Sequence, residues 1–475
     1  MCRVNPTNVV AFLTVLLFWF SSFQLTCSAR EGKQWRESVA GGSHRQLEAA
    51  RQHIGSSTAA TTSAATSTAT FNVLDYGAKG DGHTDDTKAF EATWAGACKV
   101  EASTVMVPSG SVFLVGPVSF SGPNCQPNIA FQLDGKIIAP TSSSAWGSGL
   151  LQWIEFTKLN GITIKGKGTI DGQGSVWWND SPTFDPTAEQ DPTTNETISA
   201  ELKGKMPGTK PTALRFYGSN GVTVTGITIQ NSPQTHLKFD DCTNVLVSDF
   251  VASSPGDSPN TDGIHLQNSQ DVVISAATLA CGDDCVSIQT GCSNVNIHNV
   301  KCGPGHGISI GGLGKDNTKA CVSNITVRDV TIQNTLTGVR IKTWQGGSGA
   351  VKQVTFSNVQ VSEVETPIMI DQFYCDKSNC KNQSSAVEVS GINYVNIRGT
   401  YTVQPVHFAC SDSIPCSGVS LSTIELKPVQ ESHHLDGPFC WEAYGELETT
   451  TEPPISCLET EKPLKAGTQS NSESC

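Results

Sequence analysis

The chain has 475 residues, of which 16% are charged and 44 are glycine, and a formal charge of −13. That acidity excludes nucleic acid and anionic membrane surfaces as natural partners, and it requires any site for a polyanion to gather its cations locally. Seventeen cysteines point to an oxidising compartment.

Residues 1–29 read as a signal peptide: Arg3, an apolar stretch from Val9 to Phe23, then Cys27-Ser28-Ala29 with small residues where a signal peptidase reads. A membrane anchor is the poorer reading, because the apolar run falls short of the roughly 18–20 residues that span a bilayer. No later segment is long and apolar enough to do so. The expectation is a secreted, extracellular protein with no membrane association once the signal is removed.

Residues 30–70 are charged from Arg30 to Arg51 and then run in Ser, Thr and Ala, which suits a flexible extension or propeptide. A single structured domain is expected over residues 71–457, and residues 458–475 read as a polar tail. Removing Cys2 and Cys27 with the signal leaves fifteen cysteines, an odd number. The one left over is expected in the C-terminal region, where Cys475 is the last residue. Asn179, Asn195, Asn324 and Asn382 head glycosylation sequons, each a candidate in a secretory pathway.

Thr87 to Lys99 carries Ala89, Phe90, Ala92, Trp94 and Ala97 at helical spacing, and predicts an amphipathic helix. Cys98 could tether it, with Cys125 as candidate partner. Beyond it a short unit recurs: a polar residue, Asn or Gly, alternating β-branched residues, then a turn. Asn160-Gly-Ile-Thr-Ile, Asn220-Gly-Val-Thr-Val, Ser293-Asn-Val-Asn-Ile and Ser323-Asn-Ile-Thr-Val are examples. From Asn220 these units start roughly 23–30 residues apart, the mark of a solenoid. An all-β, right-handed, single-stranded parallel β-helix fits, each coil burying Val and Ile against its neighbours at about 4.8 Å, with the Thr87 helix covering the N-terminal end. A leucine-rich repeat would need a Leu-x-x-Leu-x-Leu skeleton, which is absent.

Four consecutive coils carry charge at or just before a strand: Asn260-Thr-Asp262, Gly282-Asp283-Asp284, Gly305-His306-Gly307 and Arg340-Ile-Lys342. Equivalent positions of successive coils stack, so Asp262, Asp283, Asp284, His306, Arg340 and Lys342 should converge. Three neighbouring carboxylates raise at least one pKa, which keeps one group as an acid while another stays ionised. Coil geometry allows two of them to stand roughly 6.5–9.5 Å apart, with room for a water. Arg340 and Lys342, on alternate positions, point the same way and suit an anionic ligand.

This set of motifs, in this order, resembles glycoside hydrolase family 28, the polygalacturonases, and their plant branch in particular. The resemblance runs from about Phe71 to Cys440 and includes Asn72-Val-Leu-Asp-Tyr-Gly-Ala-Lys-Gly-Asp-Gly, Val107-Pro-Ser-Gly, Gly168-Thr-Ile-Asp-Gly and Asn231-Ser-Pro. It implies Asp283 as general acid, Asp262 and Asp284 as the pair that holds and activates water, and His306 as an aid to the acid's protonation. It implies that Arg340 and Lys342 bind a substrate carboxylate and that Cys285 bonds to Cys302. De-esterified homogalacturonan in the cell wall is then the expected partner, acted on by a monomer with no cofactor and no metal. The long extension before Phe71 departs from shorter members of the family.

Other readings compete at single residues. Each Asp could be a turn former, as Asp85 and Asp86 in the early loop are expected to be. Cys281, Cys285, Cys292 and Cys302 could be a zinc set, though secretion and uneven spacing favour disulfides. The glycine run from Gly303 to Gly314 lacks the ending of a phosphate loop. His236 could touch substrate or be an ordinary loop histidine, and Trp177 and Trp178 could stack on a sugar or pack into their own domain. A calcium-dependent pectate lyase shares the expected fold, but an unsaturated product would distinguish it. A catalytically dead pectin-binding protein would release no reducing sugar.

Overall fold

The computed structural model describes residues 69–178, 206–376, 380–429, 436–460 and 475. Their strands form two sheets, one of 21 strands and one of 11, in which every registered pairing is parallel. The chain alternates between the sheets coil by coil, and the expected parallel β-helix is present. The smaller sheet carries the site. Its strands are β1 (Val118–Ser121), β2 (Gln152–Thr157), β3 (Thr212–Tyr217), β4 (Leu237–Asp240), β5 (Ile264–Gln267), β6 (Val286–Ile288), β7 (Ile308–Leu313), β8 (Thr337–Thr343), β9 (Thr366–Asp371), β10 (Val406–Ala409) and β11 (Phe439–Trp441).

The local sequence explains the coil. In the larger sheet, the second residue of each recurring unit has positive φ: Gly221 71°, Asn244 55°, Asp271 56°, Asn294 56° and Asn324 56°. Only Gly, Asn and Asp enter this left-handed region at low cost, so these residues place the turn into the strand. Their side chains then bond from coil to coil, Asn244 Nδ2 to Asn220 Oδ1 at 2.8 Å and Asn324 Nδ2 to Asn294 Oδ1 at 2.8 Å. Asn324 and Asn382 are exposed, while the sequons at Asn179 and Asn195 lie outside the described residues.

Inward side chains stack in register across the smaller sheet. Phe156, Phe216 and Phe239 follow one another at 5.4 and 5.3 Å between nearly parallel rings, and Leu266, Ile288, Ile310 and Ile341 continue the row. Each is buried to within a few per cent, which at roughly 1.5–3 kcal/mol per large apolar side chain makes this ladder a main source of stability.

Helix α1 (Thr87–Ala97) forms within the expected Thr87–Lys99, buries Ala89, Phe90, Trp94 and Ala97, and leaves Ala92 exposed. Trp94 meets Phe120 at 5.2 Å and Phe156 at 5.5 Å, so the helix packs on the first inward rings. Cys98 is bonded to Cys125. In the loop before α1, Asp85 accepts the Thr87 N–H at 3.0 Å, the turn role expected of it, whereas Asp86 reaches back across the loop to the N–H groups of Lys79 and Gly80.

The cysteine expectation needs correction. Cys475 is bonded to Cys321, and among the described residues Cys242, Cys281 and Cys292 are the free thiols, all buried. Cys242 and Cys292 cannot pair, because the register sets Ser269 between them and two coils separate them by roughly 9–10 Å. No helix among the described residues is long and apolar enough to cross a membrane.

Candidate active site

The paired residues Ile264, Val286 and Ile308 fix the site's register. Two positions ahead of them stand Asp262, Asp284 and His306, one per coil and about 4.8 Å apart along the sheet. Arg340 pairs with Ser309 one coil further on, and Lys342 follows two residues later on β8. All six expected residues therefore meet beside β5 to β8.

The loops that deliver them are tightly constrained. Thr261, fully buried, accepts the Gly282 N–H at 2.8 Å and so ties the Asn-Thr-Asp loop to the Gly-Asp-Asp loop. A Cβ at Gly282 would stand 1.9 Å from the Ser258 carbonyl oxygen, and one at Gly307, where φ is 86°, 2.1 Å from that of Thr337. Glycine is required at both. The disulfide Cys285–Cys302 pins the strand after Asp284, as the resemblance implied, and it breaks up the four-cysteine set that zinc would have needed.

Asp283 accepts from His306 Nδ1 at 3.0 Å, from the Asp284 N–H at 2.8 Å and from Asn260 Nδ2 at 3.2 Å. Burial acts to raise its pKa, but the His306 hydrogen bond and the charges of His306 and Lys342 outweigh it and hold Asp283 at about 2. Asp262 shows the opposite balance. Burial, reinforced by the charges of Asp283 and Asp284, pushes it up to about 6 against the pull of its His265 hydrogen bond at 3.1 Å. Asp262 therefore holds a proton in weak acid, where Asp283 is ionised.

Asp284 is enclosed by cations. Its Oδ1 accepts from Arg340 Nη2 at 2.7 Å and Ser309 Oγ at 2.7 Å, and its Oδ2 from Lys342 Nζ at 2.9 Å. Arg340 Nε also donates to Ser309 Oγ at 3.0 Å. Arg340 and Lys342, expected to face a ligand carboxylate, thus first neutralise a carboxylate of the protein itself. Lys342 Nζ lies 5.2 Å from the centre of the Tyr374 ring.

Donor atoms of Asp283, Asp284 and His306 lie within 4.8 Å of one another. This is closer than the separation of roughly 6.5–9.5 Å that leaves room for a water between two carboxylates, so Asp283 and Asp284 are not the pair that meets that expectation. The Asp284 oxygens are already committed to Arg340 and Lys342.

Three neighbouring expectations resolve toward packing. His236 is fully buried, with Nδ1 against the Asp262 carbonyl at 2.8 Å and Nε2 against Ser254 Oγ at 2.8 Å, and burial lowers its pKa to about 4. It braces the Asp262 loop from behind. Trp177 is buried edge-on against Trp146 at 5.2 Å, and Trp178 is partly buried against the core, so this pair is not a free sugar platform. Sequence reading missed His265 and Ser309. The usable signal was strand alternation, which puts His265 on the outer face of β5, and its repetition along the sheet, which aligns Ser309 with Arg340.

Carboxylates of unequal acidity gathered with an imidazole and two cations are the equipment of a glycoside hydrolase. Comparison with known proteins agrees. The sequence profile of glycosyl hydrolases family 28 matches residues 98–437, and the chain belongs to that family. It is 42% identical to a polygalacturonase of Chamaecyparis obtusa over 75% of this chain and 67% of that protein. It is 39% identical to a probable polygalacturonase of Arabidopsis thaliana, over 82% of this chain and 84% of the relative. The fold matches the crystal structure of an endo-xylogalacturonan hydrolase from Aspergillus tubingensis with a TM-score of 0.64 at 23% identity, over 78% of this chain and 95% of that one.

Proposed function

We propose that the chain is a secreted polygalacturonase that hydrolyses the α-1,4-galacturonosyl linkages of de-esterified homogalacturonan in the cell wall, with inversion at the anomeric carbon. The observation that carries this reading is the single hydrogen-bonded cluster of Asp283, His306, Asp284, Arg340 and Lys342 beside Asp262, in a chain of family 28. Asp283 is the proton donor. At rest Asp283, held at about 2 and bonded to His306 Nδ1 at 3.0 Å, is ionised. An arriving uronate adds negative charge and displaces water, which raises Asp283 so that it takes up the proton it then passes to the leaving oxygen.

Asp262 is the base. It sits one coil from Asp284, and a water between them can give its proton to ionised Asp262 while bonding to the lone pair that Asp284 Oδ2 keeps. Inversion is favoured over a covalent intermediate because neither group is a free nucleophile: Asp284 is bound at both oxygens and nearly buried, and Asp262 is bonded to His265. The N–H donors that Arg340 and Lys342 do not spend on Asp284 are available to a substrate carboxylate.

The test is incubation of the purified enzyme with polygalacturonate. Reducing ends should accumulate without ultraviolet-absorbing unsaturated product. An unsaturated product would make it a lyase, and no release at all would refute hydrolysis; sizing the products over time distinguishes endo from exo action.

A further inference from the structure

The outer row of the smaller sheet runs, in register, through Glu155, Arg215, Lys238, His265, Ser287, Ser309 and Arg340. Nearly every ionisable head in it is spoken for. Arg215 binds Glu155 and Asp240, His265 binds Asp262, and Arg340 binds Asp284. Lys238 is the exception. It alternates with the fully buried Leu237 and Phe239, so its side chain points outward, and it is half-buried. Among the described residues its ammonium has no hydrogen bond and no ion pair.

We propose that Lys238 is a specificity residue, which binds the carboxylate of a uronate unit next to the cleaved bond and so makes the enzyme prefer unesterified to methyl-esterified substrate. Its place supports this, since it is in register with His265 and so stands one coil, about 4.8 Å, from the residue that bonds the proposed base Asp262. The chemistry supports it too: a half-buried ammonium has lost water and gained only the longer-range attraction of Asp240 and Asp262, opposed by Arg215, and a ligand carboxylate in direct contact restores that loss through a charge-assisted bond. Burial lowers the Lys238 pKa, which is the same lost hydration seen as proton affinity. A methyl ester carries no charge and accepts the bond only weakly.

The inference rests on the galacturonan reading, and its test separates the two. Wild type, Lys238→Met and Lys238→Arg are compared on polygalacturonate and on highly methyl-esterified pectin. For Lys238→Met, KM on polygalacturonate should rise about tenfold, as expected for loss of one charge-assisted contact. Its kcat and melting temperature should hold, KM on the esterified pectin should not move, and Lys238→Arg should recover most of the difference. An unchanged KM, or an equal rise on both substrates, overturns the proposal. So does a shifted pH profile with KM fixed, because the lysine would then act only through its field on Asp262. If the wild type cleaves neither substrate, the functional reading fails instead, and calorimetric binding of an oligogalacturonate to wild type and Lys238→Met still decides the contact: equal affinities overturn it.

Discussion

Lys342 Nζ lies 2.9 Å from Asp284 Oδ2, in an ion pair that spans two coils and leaves the side chains only 8% and 3% exposed. With Arg340 on the other oxygen, the buried charge of Asp284 is compensated from two sides. Removing Lys342 leaves Asp284 Oδ2 buried without its cation. Lys342→Met is therefore expected to destabilise the fold by about 3 kcal/mol and to lower kcat, rather than only to raise KM. Chemical denaturation together with steady-state kinetics checks both; a stable variant with normal kcat and a raised KM would show that the lysine serves substrate alone.

Asp283→Asn keeps the size and most hydrogen bonds of the side chain but cannot deliver a proton. It should fold, bind oligogalacturonate and lose roughly three or more orders of magnitude in kcat. His306→Ala should fall less far, because Asp283 can still be protonated from solvent. Turnover near the wild-type value in Asp283→Asn would remove it from the proton-donor role.

The acidity of Asp262 sets the acid side of the pH profile. A base must be ionised to accept the water's proton, and burial holds Asp262 at about 6. The kcat/KM of the free enzyme should therefore fall as pH drops through about 6, and fall again at higher pH as the proton needed by the leaving oxygen becomes scarce, giving a bell. Asp262→Asn should remove the acid limb along with most of the activity. An acid limb unaltered in that variant would place the base elsewhere.

The same group predicts a stability change of defined sign. Asp262 has a folded pKa of about 6 against an ordinary 3.8, so the folded state binds this proton more tightly than the unfolded one. The stabilisation is full below about pH 4 and is lost as pH rises through about 6, a change of about 3 kcal/mol. Asp283, held at about 2, acts in the reverse direction, since its stabilisation is present above about pH 4 and is lost as pH falls through about 2. Urea melts of wild type and Asp262→Asn should show the variant gaining on the wild type between pH 4 and pH 7; parallel curves would refute the shifted pKa.

Inversion predicts the first product. Direct attack by water on an α-linkage should release β-configured reducing ends, visible by proton NMR before mutarotation. Initial α-anomer would require a covalent intermediate. That outcome would refute the water-holding roles of Asp262 and Asp284.

The sequence by itself determined the fold and the assembly of the site, because a solenoid is built from local repeats. Asn244, Asp271, Asn294 and Asn324 each set one turn, alternating Val and Ile set each strand, and consecutive coils must stack. Four motifs on four successive coils therefore had to meet, and Asp262, Asp283, Asp284, His306, Arg340 and Lys342 did. Tertiary structure alone decided how they divide the work. Which carboxylate takes the cations depends on reach across two coils, from β8 back to Asp284, and the raised pKa of Asp262 is a sum over burial and neighbours that no spacing encodes. The cysteines make the same point. Cys98–Cys125 was legible from a helix end near its partner, but the return of Cys475 to Cys321 and the isolation of Cys242, Cys281 and Cys292 depend on which residues the coils bring face to face, and that is set by register rather than by order along the chain.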